Sequence, residues 1–328
     1  MNDKKNSKVL KEAIVDVPGI KVGHSQDLKA GTGCTVIICE KGATTGVDVR
    51  GGAPSTRETD LLNPVNLVDK AHAVYLGGGS AFGLDGTSGV MKYLEEREIG
   101  FDVVLTKVPI VPGAVLFDLG VGDYRVRPDA KMGYDACLNA SDAEARQGNV
   151  GAGTGATVGK IFGGLRCMKS GLGTASFKSQ ELIIGAIVAV NCFGDVVDPE
   201  SGEIIAGVLS ENKKEVANTM SFLRNFPQRS GSNFSKNTTI GVVATNAKLT
   251  KAGATKVAMM AQDGYARTIS PAHTMFDGDT IFCMATGEVE AGVNVVGAIA
   301  AEVMARAIVK AVKSTESLYG LKCYKNLL

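Results

Sequence analysis

The run Asn237-Thr238-Thr239-Ile240-Gly241-Val242-Val243-Ala244-Thr245-Asn246 carries a polar loop straight into an apolar strand, with a hydroxyl residue at the junction. A hydroxyl placed there can attack the carbonyl of the preceding residue. The ester so formed opens in water, which cuts the chain and leaves Thr238 as a new amino terminus. An α-amine titrates near ~8, against ~10 for lysine, so at neutral pH it can take the proton of its own hydroxyl without a histidine. A strand that merely begins with two good β formers is the plainer account of the same residues. Downstream, His273-Thr274-Met275-Phe276-Asp277-Gly278-Asp279-Thr280 sets two carboxylates around a glycine, just before the apolar residues 281–285. In an extended segment, positions i and i+2 share a side, so Asp277 and Asp279 could face one site and orient an amine-bearing nucleophile. A solvated Asp-Gly turn is the plainer account here too.

Other constellations carry less. His24, His72 and His273 lack metal-ligand spacing, so no metal site and no cofactor is expected. Spacing leaves a Ser-His-Asp triad open, but no G-x-S-x-G elbow nominates its serine. Gly77-Gly78-Gly79-Ser80-Ala81-Phe82-Gly83 follows a strand and opens a helix, where main-chain amides can bind an anion. The segment from Gly151 to Lys160 comes close to a phosphate-binding loop. It fails because Thr154 stands where the first glycine is required and Ile161 where Ser or Thr must hold magnesium. A nucleotide-binding enzyme using this loop is therefore a rival reading, and tight turns between packed layers the plainer one. Lys160, following the glycine run, can still sit over a cleft.

These groups need a frame. With 328 residues, 45% hydrophobic and 21% charged, the chain can bury a sizeable core in one large domain or two small ones. Lys and Arg number 35 against 34 for Asp and Glu, so no net field gathers nucleic acid or an anionic membrane. The longest apolar run, residues 183–190, is far short of the about 20 residues of a membrane span. Seven scattered cysteines without a C-x-x-C pair, and a Lys-rich start without an apolar run behind it, fit a cytoplasmic protein with reduced thiols. Strands are expected over residues 35–38, 45–49, 73–76, 103–108, 184–191 and 239–245. Helices are expected over 83–97, 211–224, 250–266 and 292–312, with a polar linker over 225–237. The mixture argues for layered sheets flanked by helices, more than for a doubly wound parallel sheet.

The chain resembles the DmpA-type aminopeptidases, a family that includes L-aminopeptidase/D-esterases, β-aminopeptidases and nylon-oligomer endo-hydrolases. The resemblance runs from Pro18-Gly19-Ile20-Lys21-Val22-Gly23-His24, through Asp48-Val49-Arg50-Gly51-Gly52-Ala53 and the glycine-rich stretch, to the Thr238 strand and Asp277-Gly278-Asp279. It implies a four-layer α/β/β/α sandwich, like that of N-terminal nucleophile hydrolases but with DmpA-type connectivity. It further implies autocleavage into an α subunit (residues 1–237) and a β subunit (238–328), together one domain, and a homo-oligomer, a tetramer of cleaved heterodimers. By position, Thr238 resembles the nucleophile and Asn237 the residue whose carbonyl is attacked. Asp277 and Asp279 match the acidic pair; many aminopeptidase members carry Ser and Glu there, so the double-Asp form leans towards the nylon-oligomer branch. Lys160 resembles that branch's active-site lysine, and Asn191 an asparagine that helps to stabilise the oxyanion. Phe117 stands where relatives carry a tyrosine of the substrate pocket. The implied activity is hydrolysis of small amides, peptides or oligoamides, with esters as further substrates. The rival within the same fold is a silent member acting as a binding protein.

Overall fold

The computed structural model describes residues 10–225 and 237–328, so most of the expected linker lies outside the described residues. Among the described residues, nine strands form one hydrogen-bonded system: β1 (Lys21–Asp27), β2 (Thr32–Val49), β3 (Thr56–Arg57), β4 (Lys70–Gly77), β5 (Gly113–Val115), β6 (Leu172–Ser179), β7 (Leu182–Ala189), β8 (Ile240–Ala247) and β9 (Thr280–Val289). Their order is β6-β7-β8-β9-β2-β4-β5-β3, with β1 also on β2. The β8–β9 and β4–β5 pairs are parallel and the rest antiparallel. At 18 residues β2 is too long for one layer. Its register with β4 shifts between Ile38 and Ala43, where Gly42 has φ 71°. The strand bends there, so its first half pairs with β1 and β4 and its second with β9.

Alternation along the strands then makes the layers. Ile187 and Ala189 of β7, Ile240 and Val242 of β8, and Phe282 and Met284 of β9 point inward. They meet Ile37 of β2 and Val74 and Leu76 of β4 in a core between the two halves of the sheet. The opposite set, Ile184, Ala186, Val188, Val243, Ile281 and Cys283, points outward. It is covered by α4 (Lys251–Thr268) and α5 (Val293–Lys313), through Val257, Ala261, Val303 and Ile308 among others. On the far side, Cys34, Val36, Ala73 and Tyr75 pack against Val90 and Leu94 of α1 (Gly86–Glu95) and Ala136 of α2 (Ala130–Leu138). The result is the expected α/β/β/α sandwich. Helix α4 lies so close to β2 that a Cβ on Gly46 would come within 2.2 Å of the Thr255 main-chain nitrogen.

Two expected elements are corrected. Residues 103–108 do not form a strand of the sheet; the two-residue strands Phe101–Asp102 and Lys107–Val108 make a hairpin whose tip residues Val104 and Leu105 are each 95% exposed. Their β-forming composition misled because no second layer covers them. The helix expected over 211–224 shrinks to α3 (Thr219–Asn225). Buried Asp195 stops it from starting earlier: it accepts the Thr219 N–H at 2.6 Å and the Thr219 hydroxyl at 2.7 Å, while the Ala217 N–H donates to Val208 O at 2.7 Å and holds the chain extended. Among the described residues, no helix is long and apolar enough to cross a membrane.

Candidate active site

Three strand ends meet at Thr238. Strands β8 and β9 run parallel in the register Ile240↔Thr280, so the segments entering them, Asn237–Thr239 and Asp277–Asp279, lie side by side, with an Asn237↔Asp277 bridge. Strand β7 is antiparallel to β8 with Ala189 opposite Ile240, so the residues leaving β7 arrive at the same place. The Thr238 N–H accordingly donates to the Asn191 carbonyl at 3.0 Å. The Asn237 carbonyl receives the Gly278 N–H at 2.8 Å and a short hydrogen bond from the Thr238 hydroxyl. Asn237 is fully buried and Thr238 4% exposed.

The two carboxylates are part of this junction, not a solvated turn. Asp277 accepts the Phe193 N–H at 3.0 Å on Oδ1 and, on Oδ2, the Thr274 N–H at 3.1 Å and the Thr274 hydroxyl. Asp279 accepts the Thr239 N–H at 2.8 Å on Oδ1, and its Oδ2 takes His273. Burial, together with the charge of Asp279, pushes the Asp277 carboxyl up to about 6. The Asp48–Ala53 motif explains itself here as the cradle of this loop. Arg50 and Gly51 N–H donate to Asp279 O, Gly52 N–H to Thr274 O and Ala53 N–H to Asp277 O. A Cβ on Gly51 would lie 2.2 Å from Asp277 O, so no other residue lets the two backbones approach this closely.

Lys160 comes in from the glycine run. Its Nζ, 3% exposed as a residue, donates to the Asn191 carbonyl at 2.9 Å and to Asn191 Oδ1 at 2.7 Å. An ammonium has no acceptor to offer, so this contact fixes which side-chain atom of Asn191 is oxygen. The Thr157 N–H also reaches that oxygen, at 3.0 Å, and Asn191 Nδ2 donates to the Phe117 carbonyl at 3.0 Å. Burial lowers the Lys160 amine to about 8. Thr238, Asn237, Asp277, Asp279, Lys160 and Asn191 are thus brought together, and Phe117 touches them through its main chain. Reasoning from sequence missed His273 and Thr274 as the groups that hold the carboxylates. Their place in the quoted run was the available signal, but hydrogen bonds within an irregular loop have no period to read.

The rival sites close. In the Gly77–Gly83 turn, the Gly79 N–H donates to Asp118 Oδ1 at 2.7 Å, so the protein's own carboxylate occupies the place an anion would take. From Gly151 to Lys160 the chain is buried, and most of its amides serve internal acceptors: Gln26, Thr35, Val150, Gly151, Gly153, Asn191, Gly194 and Phe193. No helix follows the loop; it enters the short strand Thr157–Val158 instead. A phosphate cradle needs a row of free amides opening a helix, whereas most amides here are already taken and the loop opens a strand.

A family model, peptidase family S58, matches residues 12–325. The chain belongs to peptidase family S58. Among S58 relatives, an uncharacterized aminopeptidase of Mycobacterium leprae (strain TN) is 43% identical, with 95% of this chain and 93% of the relative aligned. A 6-aminohexanoate-oligomer endohydrolase of Kocuria sp. (strain KY2) is 30% identical over 91% of this chain and 85% of its own. In fold, the S58 chain is similar to the L-aminopeptidase D-Ala-esterase/amidase of Ochrobactrum anthropi, a variant of the Ntn hydrolase fold, at a TM-score of 0.73 and 18% identity, covering 96% and 92% of the two chains. This S58 protein is therefore a peptidase or amidohydrolase.

Proposed function

We propose that this S58 chain is the precursor of an N-terminal threonine hydrolase. The single observation that carries the reading is the pair of donors, Gly278 N–H and Thr238 Oγ–H, on the Asn237 carbonyl oxygen. Attack by Thr238 Oγ on the Asn237 carbonyl carbon breaks the Asn237–Thr238 amide and forms an ester; the hydroxyl proton passes to the amide nitrogen, which leaves as the Thr238 amine, and water then opens the ester to an Asn237 carboxylate and a free Thr238 hydroxyl. Gly278 N–H would receive the oxyanion of that step. The side-chain amide of Asn237 has no hydrogen-bond partner among the described residues, a burden of roughly 1–3 kcal/mol per buried group that its departure after cleavage relieves. Its leaving also uncovers Thr238.

The freed Thr238 amine stays near the Asn191 carbonyl, and Thr239 remains held by Asp279. The amine serves as base for its own hydroxyl, and then as acid for the leaving amine of the substrate. Asn191, held by Lys160, lies beside the developing oxyanion. The two products, residues 1–237 and 238–328, stay together because β8 and β9 sit between β7 and β2 in the sheet. Substrates are small amides, peptides or oligoamides such as 6-aminohexanoate oligomers, with esters as further candidates. The enzyme works as a homo-oligomer, a tetramer of cleaved pairs; the exposed tip at Val104 and Leu105 supports a covered edge. Seven buried, unpaired cysteines favour a reducing, cytoplasmic setting. Denaturing gels, intact mass and sequencing of the smaller fragment test the reading. The wild type should split before Thr238 and Thr238→Ala should stay whole; a wild type that keeps its full-length mass, or a Thr238→Ala chain that splits, defeats it.

A further inference from the structure

Asp279 is 1% exposed, and its carboxylate is held from two directions. Oδ1 accepts the N–H of Thr239, the residue after the proposed nucleophile, at 2.8 Å. Oδ2 accepts the His273 main-chain N–H at 3.1 Å and lies 2.9 Å from His273 Nδ1. A carboxylate has no proton to give, so the imidazole donates from Nδ1. The ring cannot easily leave. His273 sits in the left-handed region at φ 56°, which brings its main-chain N–H and its ring onto one oxygen, and the ring stacks on Tyr265 of α4 at 6.1 Å between centroids. Its side chain is 18% exposed, so it stands between the buried carboxylate and the surface.

We infer that His273 is a positioning residue for the chemistry at Thr238: its Nδ1–H holds Asp279 as the carboxylate that clamps Thr239, and through that clamp aims the Thr238 hydroxyl and later its amine. The inference rests on the reading of Thr238 as nucleophile. The groups facing Asp279 are Asp277 on its own loop, Tyr265 from α4, and Cys192 beyond β7. Lys160 is also within electrostatic reach of Asp277 and Cys192. Arg50 reaches Asp279 only through its main chain, its guanidinium being 3.0 Å from Asp48. His273 is therefore the donor that offsets the mutual repulsion of the two carboxylates from the solvent side. Without it, nothing on that side holds Asp279 Oδ2 in place, and the clamp on Thr239 loosens.

The rate of chain cleavage after a pulse of synthesis, followed on denaturing gels across the pH range, needs no substrate and tests this. His273→Ala should cleave at least about tenfold more slowly at every pH tested. His273→Asn, whose amide can donate from nearly the same point, should recover to within about threefold of wild type. An unchanged rate in His273→Ala, or an Asn variant as slow as the Ala variant, overturns the inference. If His273→Ala does not fold, His273→Asn against His273→Gln decides: Asn at least about tenfold faster than Gln supports it, and equal rates overturn it. Thr238→Ala runs in parallel. Splitting of that chain defeats the nucleophile reading itself, whereas a silent Thr238→Ala beside an unaffected His273→Ala defeats only the role of His273.

Discussion

The Gly278 N–H meets the carbonyl oxygen of Asn237 at 2.8 Å, from the middle of the acidic pair. A main-chain donor in that position is fixed before any reaction begins, so it needs no reorganisation when the oxygen gains charge. The glycine is required on the other side as well: a Cβ there would lie 2.8 Å from Thr238 Oγ1 and 2.7 Å from the Ala53 carbonyl.

Gly278→Ala should therefore displace the hydroxyl from its line of attack. Cleavage is expected to slow by about a hundredfold, since misplacement of about 1 Å costs that much. Pulse-chase gels measure it, and a wild-type rate would show that the Thr238 position tolerates the shift.

Gly51→Ala tests the cradle rather than the proposed nucleophile. The added methyl meets Asp277 O at 2.2 Å and the Asp279 nitrogen at 2.4 Å, both main-chain atoms that cannot swing aside. A loss of about 1–3 kcal/mol in stability is expected, together with slow cleavage. Urea unfolding of the uncut chain reads the first and gels the second.

Turnover should follow a bell-shaped pH profile. The Asp277 carboxylate must be ionised to accept its three donors, and its carboxyl is held up at about 6, so the rate rises with pH through about 6. Lys160 holds Asn191 best as the ammonium, which burial brings down to about 8, so the rate falls as pH rises through about 8. In Lys160→Met the alkaline limb should vanish and kcat drop on the order of a hundredfold. Initial rates on an amide substrate across pH check both limbs; an alkaline limb that survives the substitution removes Lys160 from the account.

Lys169 is fully buried, and its ammonium donates to the carbonyls of Gly153 at 3.1 Å, Ala156 at 3.0 Å and Ser170. Lys169→Met fills the space but strands three acceptors, for a loss of about 3 kcal/mol or more. Chemical denaturation of the purified protein measures it.

Phe117→Tyr adds the hydroxyl that the family resemblance implies for this position. A change in the ranking of amino-acid p-nitroanilides, esters and 6-aminohexanoate oligomers, with cleavage unaffected, would place this side chain in the substrate pocket. An unchanged ranking would leave it there only as the carbonyl that holds Asn191.

The sequence by itself determined whatever has a period or a fixed local grammar. The β-rich runs over residues 184–191 and 239–245 marked two strands of the sheet, β7 and β8, and helical spacing over 250–266 and 292–312 marked α4 and α5. Thr238 and the Asp277-Gly278-Asp279 segment stood out as well, because each sits where a polar loop enters an apolar strand. Only the tertiary structure decided how these pieces meet. Parallel pairing of β8 with β9, two strands separated by a whole helix, sets the Asn237 carbonyl on the Gly278 amide, and no local pattern encodes that register. It also decided that the Gly77–Gly83 turn is filled by Asp118, and that the residues from Gly151 to Lys160 use most of their amides internally. It turned Val104 and Leu105 out of the sheet and shortened the helix at Thr219. In each case the deciding force is a contact between residues distant in sequence, and the energy of such a contact exists only once the chain has closed around it.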